Sequence, residues 1–238
     1  MRVIVLKAMI LAAGYGTRLR PLTDRLPKCL VSVAGKPVLE HTIEWLVSFG
    51  VADIIINVSH LADVVMDRVG DGRRWGVRIS YSIEDRPLGT AGGVKKASWF
   101  FDGPFLVWYG DNLSRCNLDR LYGLHREKGG LATIGLHYRD DVSQSGIVAV
   151  DADDRVMQFL EKPGSSQVFS HWVNAGIYVL EPGVLNFIGP EETPDFGRHV
   201  FPNMLSNGQA LFGYRLSADE GLAWIDRPED IERITSHI

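Results

Sequence analysis

Residues 11–20 read LAAGYGTRLR, and PLTDRLPK follows them at positions 21–28. This stretch places small residues and two glycines directly after an apolar strand, and then the cations Arg18, Arg20 and Lys28. A loop that only reversed the chain would need one glycine and no such density of positive charge. Glycine lets backbone N–H groups approach an anion, and lysine and arginine neutralise its charge. The stretch therefore predicts a phosphate-binding surface.

We name residues 11–18 the glycine loop. Gly14 and Gly16 are predicted to bring backbone N–H groups to a triphosphate, and Thr17 adds a hydroxyl donor. Arg18 and Lys28 are predicted to supply mobile cationic contacts. The spacing fits neither GxxxxGK[ST] nor GxGxxG, so a P-loop and a dinucleotide fingerprint are both poor matches. A glycine turn with solvated arginines is the alternative.

Bulk composition narrows the class of protein. The chain has 238 residues, of which 45% are apolar and 23% charged, as in an ordinary soluble globule. A net charge of −4 argues against a nucleic-acid binder. Cys29 and Cys116 are the two cysteines, and they form neither a disulfide framework nor a zinc pattern, so we expect a reducing cytoplasm. The opening MRVIVLK is too short for a signal peptide or membrane span, and we expect it to lead into the first strand.

Apolar strands alternate with helical patterns from the glycine loop to FLVWYGD at 105–111. This rhythm predicts an α/β fold with a mostly parallel central sheet and helices on both faces. The second half is less regular: we expect a helix capped by Asn117, a hairpin turning at 151–154 and a closing helix that begins at Pro228. In such sheets, ligands collect beyond the carboxyl ends of the strands.

Five motifs resemble one known family. LAAGYGTRLRPLTDRLPKCLVSVAGKPVLEH (11–41) is similar to the N-terminal signature of the sugar-1-phosphate nucleotidyltransferases, or NDP-sugar pyrophosphorylases. PLGTAGGVKKA, GDN, EKP and NAGIY follow in the family's order, so the resemblance covers nearly the whole chain. It implies a Rossmann-like three-layer fold with a mixed sheet. It also implies a reaction in which a nucleoside triphosphate and a sugar 1-phosphate give an NDP-sugar and pyrophosphate.

Within that family the chain most resembles the short, single-domain mannose- and heptose-1-phosphate guanylyltransferases. We expect one domain over 1–238, with a nucleotide-binding half to about residue 115 and a sugar-phosphate-binding half over about 116–238. A C-terminal β-helix domain is not expected. The oligomeric state stays open, with a homodimer among the arrangements considered.

The resemblance implies a set of site residues. Catalytic roles fall on Arg18, Lys28, Asp111 and Lys162. Nucleotide binding is implied for Leu11, Ala12, Ala13, Gly14, Gly16, Thr17, Arg18, Glu84, Gly89 and Thr90. Sugar-phosphate binding is implied for Asn112, Gly146, Glu161, Lys162 and Asn174. Without the resemblance, Glu161–Lys162 is a surface ion pair and Asn174 is a polar residue in an apolar strand.

A magnesium ion is the expected cofactor. Asp111 follows the buried strand FLVWY, where one carboxylate could ligate Mg²⁺ and leave the remaining positions to phosphate oxygens and water. A turn or helix-capping role is the alternative. The family closes with an aromatic residue and an acidic metal ligand, but AWIDRPED is two residues short of that pattern. Asp226 is the second ligand if the gap is real, whereas Trp224 takes its place if it is not. A two-residue shift keeps a strand side chain on the same face.

Glu84 is the candidate reader of the base. A carboxylate only accepts hydrogen bonds, and guanine offers adjacent N1–H and N2–H donors. Uracil and thymine present one donor between two carbonyls, which a carboxylate repels. Gly89 and Gly92 would let a flat base approach. GTP is therefore favoured, and base reading by the backbone alone, with a solvated Glu84, is the alternative.

The sequence predicts an in-line displacement without a covalent intermediate or general base, since a sugar 1-phosphate is already a nucleophile. D-glycero-D-manno-heptose 1-phosphate or mannose 1-phosphate is the favoured acceptor. An N-acetylmuramate-1-phosphate uridylyltransferase is the leading alternative, and molybdenum-cofactor nucleotide transfer ranks lower. A non-catalytic nucleotide-sugar-binding regulatory subunit is the alternative from another class. It is disfavoured because Arg18, Lys28, Asp111 and Lys162 are all present.

Overall fold

The computed structural model describes residues 6–235, so the first five residues of MRVIVLK and the last three of the chain lie outside it. The strands are β1 Lys7–Leu11, β2 Ser32–Val33, β3 Lys36–Pro37, β4 Asp53–Val58, β5 Arg78–Ile83, β6 Phe105–Tyr109, β7 Asn112–Ser114, β8 Ala132–Tyr138, β9 Gly146–Val150, β10 Val156–Glu161, β11 Trp172–Leu180, β12 Leu211–Arg215 and β13 Leu222–Trp224. The α-helices are α1 Val38–Ser48, α2 Ala62–Val69, α3 Thr90–Lys96, α4 Leu118–Lys128, α5 Phe201–Ser206 and α6 Pro228–Thr235.

The chain divides into two compact units. Unit 1 holds the described residues up to Pro87, the segment Trp108–Arg115 and the described residues from Leu222 onward. Unit 2 holds Leu88–Val107 and Cys116–Gly221. Residues 88–107 thus group with the second half of the chain, and the segment from Leu222 groups with the first; the nucleotide-binding and sugar-phosphate-binding halves stay a prediction.

Unit 1 is built on parallel strands whose carboxyl ends align. β4 pairs in parallel with β1 and with β5, and Asn57 on β4 lies opposite Leu11 on β1 and Ser82 on β5. Gly110, just past β6, donates its N–H to the carbonyl of Leu11 at 2.9 Å. A Cβ at position 110 would lie 2.8 Å from that oxygen, so only glycine allows this approach. Asp111 is thereby placed beside the start of the glycine loop.

The C-terminal segment completes unit 1. β13 pairs antiparallel with β7, and the N–H of Ile225 donates to the carbonyl of Asp111 at 3.2 Å. Side chains from five separate segments then form one buried apolar cluster, Leu19, Val31, Val33, Val38, Ile225 and Ile234. Burying one such side chain stabilises a fold by roughly 1.5–3 kcal/mol. The chain's last strand and helix are therefore held against its N-terminal loops.

Unit 2 contains the predicted hairpin and the predicted capped helix. β9 and β10 pair antiparallel, and the turn ends at Asp154, whose φ of +63° lies in the left-handed region. β11 pairs antiparallel with β8 and β9, whereas β12 pairs in parallel with β8. The Asn117 side chain caps α4 by accepting from the N–H of Arg120 at 3.0 Å.

The predicted α/β class with a mixed central sheet is confirmed. Phe196–Val200 forms a wide helical turn ahead of α5, in which the N–H of Phe201 donates to the carbonyl of Phe196. Pro202 has no N–H to donate in a regular helical turn, which favours the wider one. Within residues 6–235, every helix is too short or too polar to cross a membrane.

Candidate functional site

The glycine loop is shaped by Gly16. Its φ is +62°, and a Cβ there would lie 3.0 Å from both the Cβ of Lys28 and the Cγ2 of Thr23. The hydroxyl of Thr23 donates to the carbonyl of Gly16 at 2.8 Å. By contrast, a Cβ on Gly14 would meet nothing within 4 Å. Gly16 thus folds the loop onto Lys28, while Gly14 has open space beside it, and its contact with a phosphate stays a prediction.

Lys28 bridges two carboxylates from distant parts of the sequence. Its Nζ donates to Oδ2 of Asp111 at 2.5 Å and to Oδ1 of Asp226 at 2.6 Å. We name these three residues the Asp–Lys–Asp cluster. Arg18 donates from Nη1 to the other Asp226 oxygen at 2.8 Å. The Lys28 side chain is 15% exposed and that of Arg18 is 59% exposed, so one cation is held and the other is free to move.

The opposite charges in the Asp–Lys–Asp cluster stabilise one another's ionised forms. Burial alone would lower the pKa of Lys28, but the carboxylates of Asp111 and Asp226 outweigh it and raise that pKa above its ordinary value. Burial would raise the pKa of Asp226, but Lys28 and Arg18 together lower it. Both groups therefore stay charged at neutral pH.

Asp226, and not Trp224, stands beside Lys28. Trp224 is the last residue of β13 and lies opposite Asn112 in the pairing with β7, and Asp226 follows two residues later. Asp230 caps the next turn by accepting from the N–H groups of Asp226 and Arg227 at 3.0 and 2.9 Å. The short AWIDRPED sequence thus delivers a carboxylate to the cluster.

The two carboxylates fit a magnesium ion. Asp111 and Asp226 each bring an oxygen within hydrogen-bonding distance of one nitrogen, so a single cation can serve both. Over the described residues, acidic, histidine and cysteine side chains form no group of three that could hold a metal. Mg²⁺ is commonly held by one or two protein carboxylates, with waters and substrate phosphates completing its shell. The pair matches that requirement.

Glu84 is buried and hydrogen-bonded at the end of β5. It is 3% exposed, and its Oε1 accepts from Nδ2 of Asn57 at 2.8 Å. Oδ1 of Asn57 accepts in turn from the N–H of Ala12 at 2.8 Å. Asn57 was missed at the sequence level, although a polar residue inside the apolar run ADIIINVS was a visible signal. The role of Glu84 in base reading stays a prediction.

Asn112 is fully buried at the start of β7. Its backbone carbonyl accepts from the hydroxyl of Thr42 and the indole N–H of Trp108, each at 3.4 Å. Its sugar-phosphate role stays a prediction.

In unit 2, Glu161 lies in a niche made by two glycines. A Cβ added to Gly146 would lie 2.5 Å from Oε2 of Glu161, and a Cβ added to Gly197 would lie 2.7 Å from the same oxygen. Gly146 is buried, and its lack of a Cβ makes room for the Glu161 carboxylate. Lys162 has a φ of +50°, which strains a non-glycine residue. Its backbone N–H donates to the backbone carbonyl of Ser145 at 3.0 Å. Strain of this kind clusters at functional sites.

Asn174 bonds within its own strand. Its Nδ2 donates to the hydroxyl of Tyr178 at 2.8 Å, and its Oδ1 accepts from the N–H of Gly176 at 3.0 Å. The register of β11 against β8 shifts between Asn174 and Tyr178. The side chain therefore stabilises a β-bulge. Its contact with a sugar stays a prediction.

Gly89 and Thr90 begin α3 against the segment before Phe196. Gly89 has a φ of +81°, and a Cβ there would lie 2.5 Å from the carbonyl of Pro194. Thr90 donates to Oδ2 of Asp195 at 2.8 Å, and Asp195 accepts from the N–H of Arg198 at 3.0 Å. Asp195 and Arg198 were missed, although an aspartate ahead of a helical pattern is an N-cap signal.

Glu161 should make the stability of the protein depend on pH. Burial and the nearby Asp195 raise its pKa, and Lys162 and Arg198 offset this only in part. A carboxyl whose folded-state pKa is raised favours folding at low pH, and this contribution is lost as the pH rises through that pKa. Glu161→Gln should therefore have a higher Tm than the wild type at pH 8, with the difference vanishing toward pH 4. The exposed Glu127→Gln is the control, and an equal difference at both pH values would contradict the assignment.

Comparison with known proteins places these features in a family. The model of the family described as nucleotidyl transferase matches residues 7–227. A UTP–glucose-1-phosphate uridylyltransferase of Synechocystis sp. is 38% identical over 235 residues, covering 93% of this chain and 60% of the relative. Mannose-1-phosphate guanyltransferase beta-B of Xenopus laevis is 37% identical over 233 residues, covering 94% and 62%.

A solved structure agrees over the full length. HddC from Yersinia pseudotuberculosis, in a complex with GMP-PN, has a TM-score of 0.81 and 26% identity, covering 98% of this chain and 99% of that one. The chain spans about 60% of the length of the curated relatives it matches. The family model covers nearly all of the described residues, including the glycine loop and the Asp–Lys–Asp cluster, and the chain therefore belongs to the nucleotidyl transferase family.

Proposed function

We propose that the chain is a sugar-1-phosphate guanylyltransferase that joins GTP to a manno-configured sugar 1-phosphate and releases pyrophosphate. One observation carries the proposal: Lys28 packs against Gly16 of the glycine loop and holds Asp111 and Asp226 together. A cation and two metal-binding carboxylates beside such a loop suit the transfer of a nucleotidyl group.

The residues would act by positioning and by charge. An oxygen of the acceptor phosphate forms a bond to the α-phosphorus, and the bond from that phosphorus to the bridging oxygen of pyrophosphate breaks. The glycine loop, Arg18 and Lys28 would hold the triphosphate and offset its charge. Lys162 would orient the acceptor phosphate, with Arg198 as a second cation near Glu161. Mg²⁺ on Asp111 and Asp226 would supply further charge stabilisation at the α-phosphate.

Guanine is the favoured base because Glu84 supplies an acceptor at the carboxyl end of β5. Only 3% of Glu84 is exposed, and a buried acceptor without a donor is costly. A base that contacts the carboxylate therefore has to donate hydrogen bonds to it. The relatives include both a uridylyltransferase and a guanyltransferase, and HddC was solved with GMP-PN. The acceptor sugar is proposed as mannose 1-phosphate or D-glycero-D-manno-heptose 1-phosphate, because the chain is similar to a mannose-1-phosphate guanyltransferase.

A substrate matrix tests the proposal. Four nucleoside triphosphates are each combined with mannose, heptose, glucose and N-acetylmuramate 1-phosphates, and pyrophosphate release is measured with Mg²⁺. The highest kcat/KM is expected for GTP with a manno-configured sugar. Preference for UTP with another sugar would correct the substrates. Nucleotide-sugar binding without turnover of any pair would favour a regulatory subunit instead.

Lys162→Ala should separate the two substrates. Loss of a cation that orients the acceptor phosphate is expected to lower kcat/KM for the sugar 1-phosphate by about 10²-fold. The KM for GTP should change little, because the glycine loop and Lys28 are intact. Steady-state kinetics with each substrate varied in turn gives both values, and Lys128→Ala on α4 is the control. Equal losses for the two substrates would contradict this role.

A further inference from the structure

We propose that Asn57 is a specificity-determining residue that fixes which hydrogen-bonding atom residue 84 presents to the base. The inference rests on the proposed role of Glu84 in reading the base. It assigns Asn57 as a positioning residue, which acts through residue 84 without touching the nucleotide.

Three neighbouring strand ends meet at the Asn57 side chain. Asn57 lies on β4 opposite Leu11 in β1, and Ala12 follows at the start of the glycine loop. On the other side Val58 pairs with Ile83, and Glu84 follows at the end of β5. Asn57 is 3% exposed, so both of its hydrogen bonds are shielded from water. One buried amide thus joins the start of the glycine loop to the proposed base reader.

The orientation of this amide is determined by its partners. The N–H of Ala12 can only donate, so the oxygen of Asn57 must face it, at 2.8 Å. The amide nitrogen must then face residue 84, where it donates to Oε1 of Glu84 at 2.8 Å. Rotating the amide would bring two donors together on one side and two acceptors together on the other. Asn57 therefore requires an acceptor from residue 84 on the side that faces it.

This requirement has no visible effect on a glutamate, because both of its oxygens accept. It becomes decisive for a glutamine. In Glu84→Gln, Asn57 would bind the glutamine oxygen, so the Nε2 donor would be turned away from Asn57. A donor suits the carbonyls of uracil and repels the N1–H and N2–H of guanine. Changing Asn57 to aspartate keeps the acceptor for Ala12 but demands a donor from residue 84. The glutamine would then turn over and present its oxygen.

Three variants test this reversal: Glu84→Gln, Asn57→Asp and the double variant. Binding of GTP and UTP with Mg²⁺ is measured by calorimetry, beside kcat/KM for each. Glu84→Gln is expected to move the GTP-to-UTP ratio toward UTP by about 10-fold, as one reversed hydrogen bond implies. The double variant should return the ratio to within about 3-fold of the wild type. Asn57→Asp alone, which opposes two carboxylates, should weaken binding of both nucleotides while leaving the KM for the sugar 1-phosphate unchanged.

Ser82→Ala is the matched control. Ser82 is buried at 5% exposure and lies opposite Asn57 in β5, so it reports the effect of losing a polar group from this part of the sheet. It should lower Tm without changing the GTP-to-UTP ratio. Circular dichroism confirms that each variant is folded. Should Asn57→Asp fold poorly alone, the double variant restores a donor–acceptor pair and still carries the test.

The outcomes separate the inference from the proposed function. Equal GTP-to-UTP ratios in Glu84→Gln and the double variant would overturn the role of Asn57. A ratio that Glu84→Gln leaves unchanged would overturn it as well, because Asn57 would then have no route to the base. Failure of the proposed function shows separately, as wild-type protein that binds nucleotide but releases no pyrophosphate. The binding ratios decide the inference even in that case.

Discussion

Asp111→Ala is expected to abolish measurable pyrophosphate release, a loss of at least about 10³-fold in kcat, while the fold is retained. Asp111 is held by Lys28 at 2.5 Å and is only partly buried, so its removal takes charge from the cluster and nothing from the apolar core. The proposed reaction builds negative charge at the α-phosphate, and an enzyme with one metal-binding carboxylate would stabilise it poorly.

The near-isosteric Asp111→Asn and Asp226→Asn should show similar losses, since an amide keeps the shape but not the charge. Asp67→Asn, on the exposed side of α2, is the matched control. Kinetics with Mg²⁺ and circular dichroism give the two readouts. Near-normal turnover of Asp111→Ala with Mg²⁺ would refute the assignment of this residue to the metal.

Lys28→Met should have opposite effects on metal binding and on turnover. Two carboxylates would then face each other with only the exposed Arg18 nearby, and a divalent cation could bind them without displacing the ammonium group. We expect Mn²⁺ to bind the nucleotide-free variant about 10-fold or more tightly than it binds the wild type, and kcat to fall by about 10²–10³-fold. Electron paramagnetic resonance of Mn²⁺ measures binding without turnover.

Lys36→Met is the matched control, because Lys36 pairs with Glu44 at 2.6 Å away from the cluster. It should change neither Mn²⁺ binding nor kcat. Since the pKa of Lys28 is raised, the ammonium stays charged across the neutral range and its contribution to stability is lost only as the pH rises past that value. The result should therefore hold from pH 6 to pH 9. Unchanged Mn²⁺ affinity in Lys28→Met would show that the lysine does not compete with the metal.

Local patterns in the sequence predicted much of the fold. Strand and helix periodicity gave the α/β class, and the cap at Asn117 and the start of α6 at Pro228 were predicted at the correct residue. Motif spacing brought Lys28 and Asp111 to the same proposed site, and the structure joins them. It also left Asp226 and Trp224 as alternatives, and the pairing of β13 with β7 favours Asp226.

The remaining features depend on contacts between distant residues. The bond from Asn57 to Glu84 follows from strand register, which a single sequence does not fix. Asn112 is polar and sits in a recognised motif, but tertiary packing buries it. Gly146 was assigned to sugar-phosphate binding, and its packing against Glu161 was not predicted. In each case the residue type was informative, but the sequence did not show which residues would surround it in the fold.

The position of Asp226 has a consequence for protein synthesis. Asp226 lies 198 residues after Lys28 in the chain and leaves the ribosome long after it. Ile225 and Ile234, which anchor that segment against Leu19 and Val31, emerge together with it. A nascent chain that already contains most of both units would therefore still lack one of the two carboxylates. It should remain inert toward the proposed substrates until Asp226 has emerged and its segment has packed.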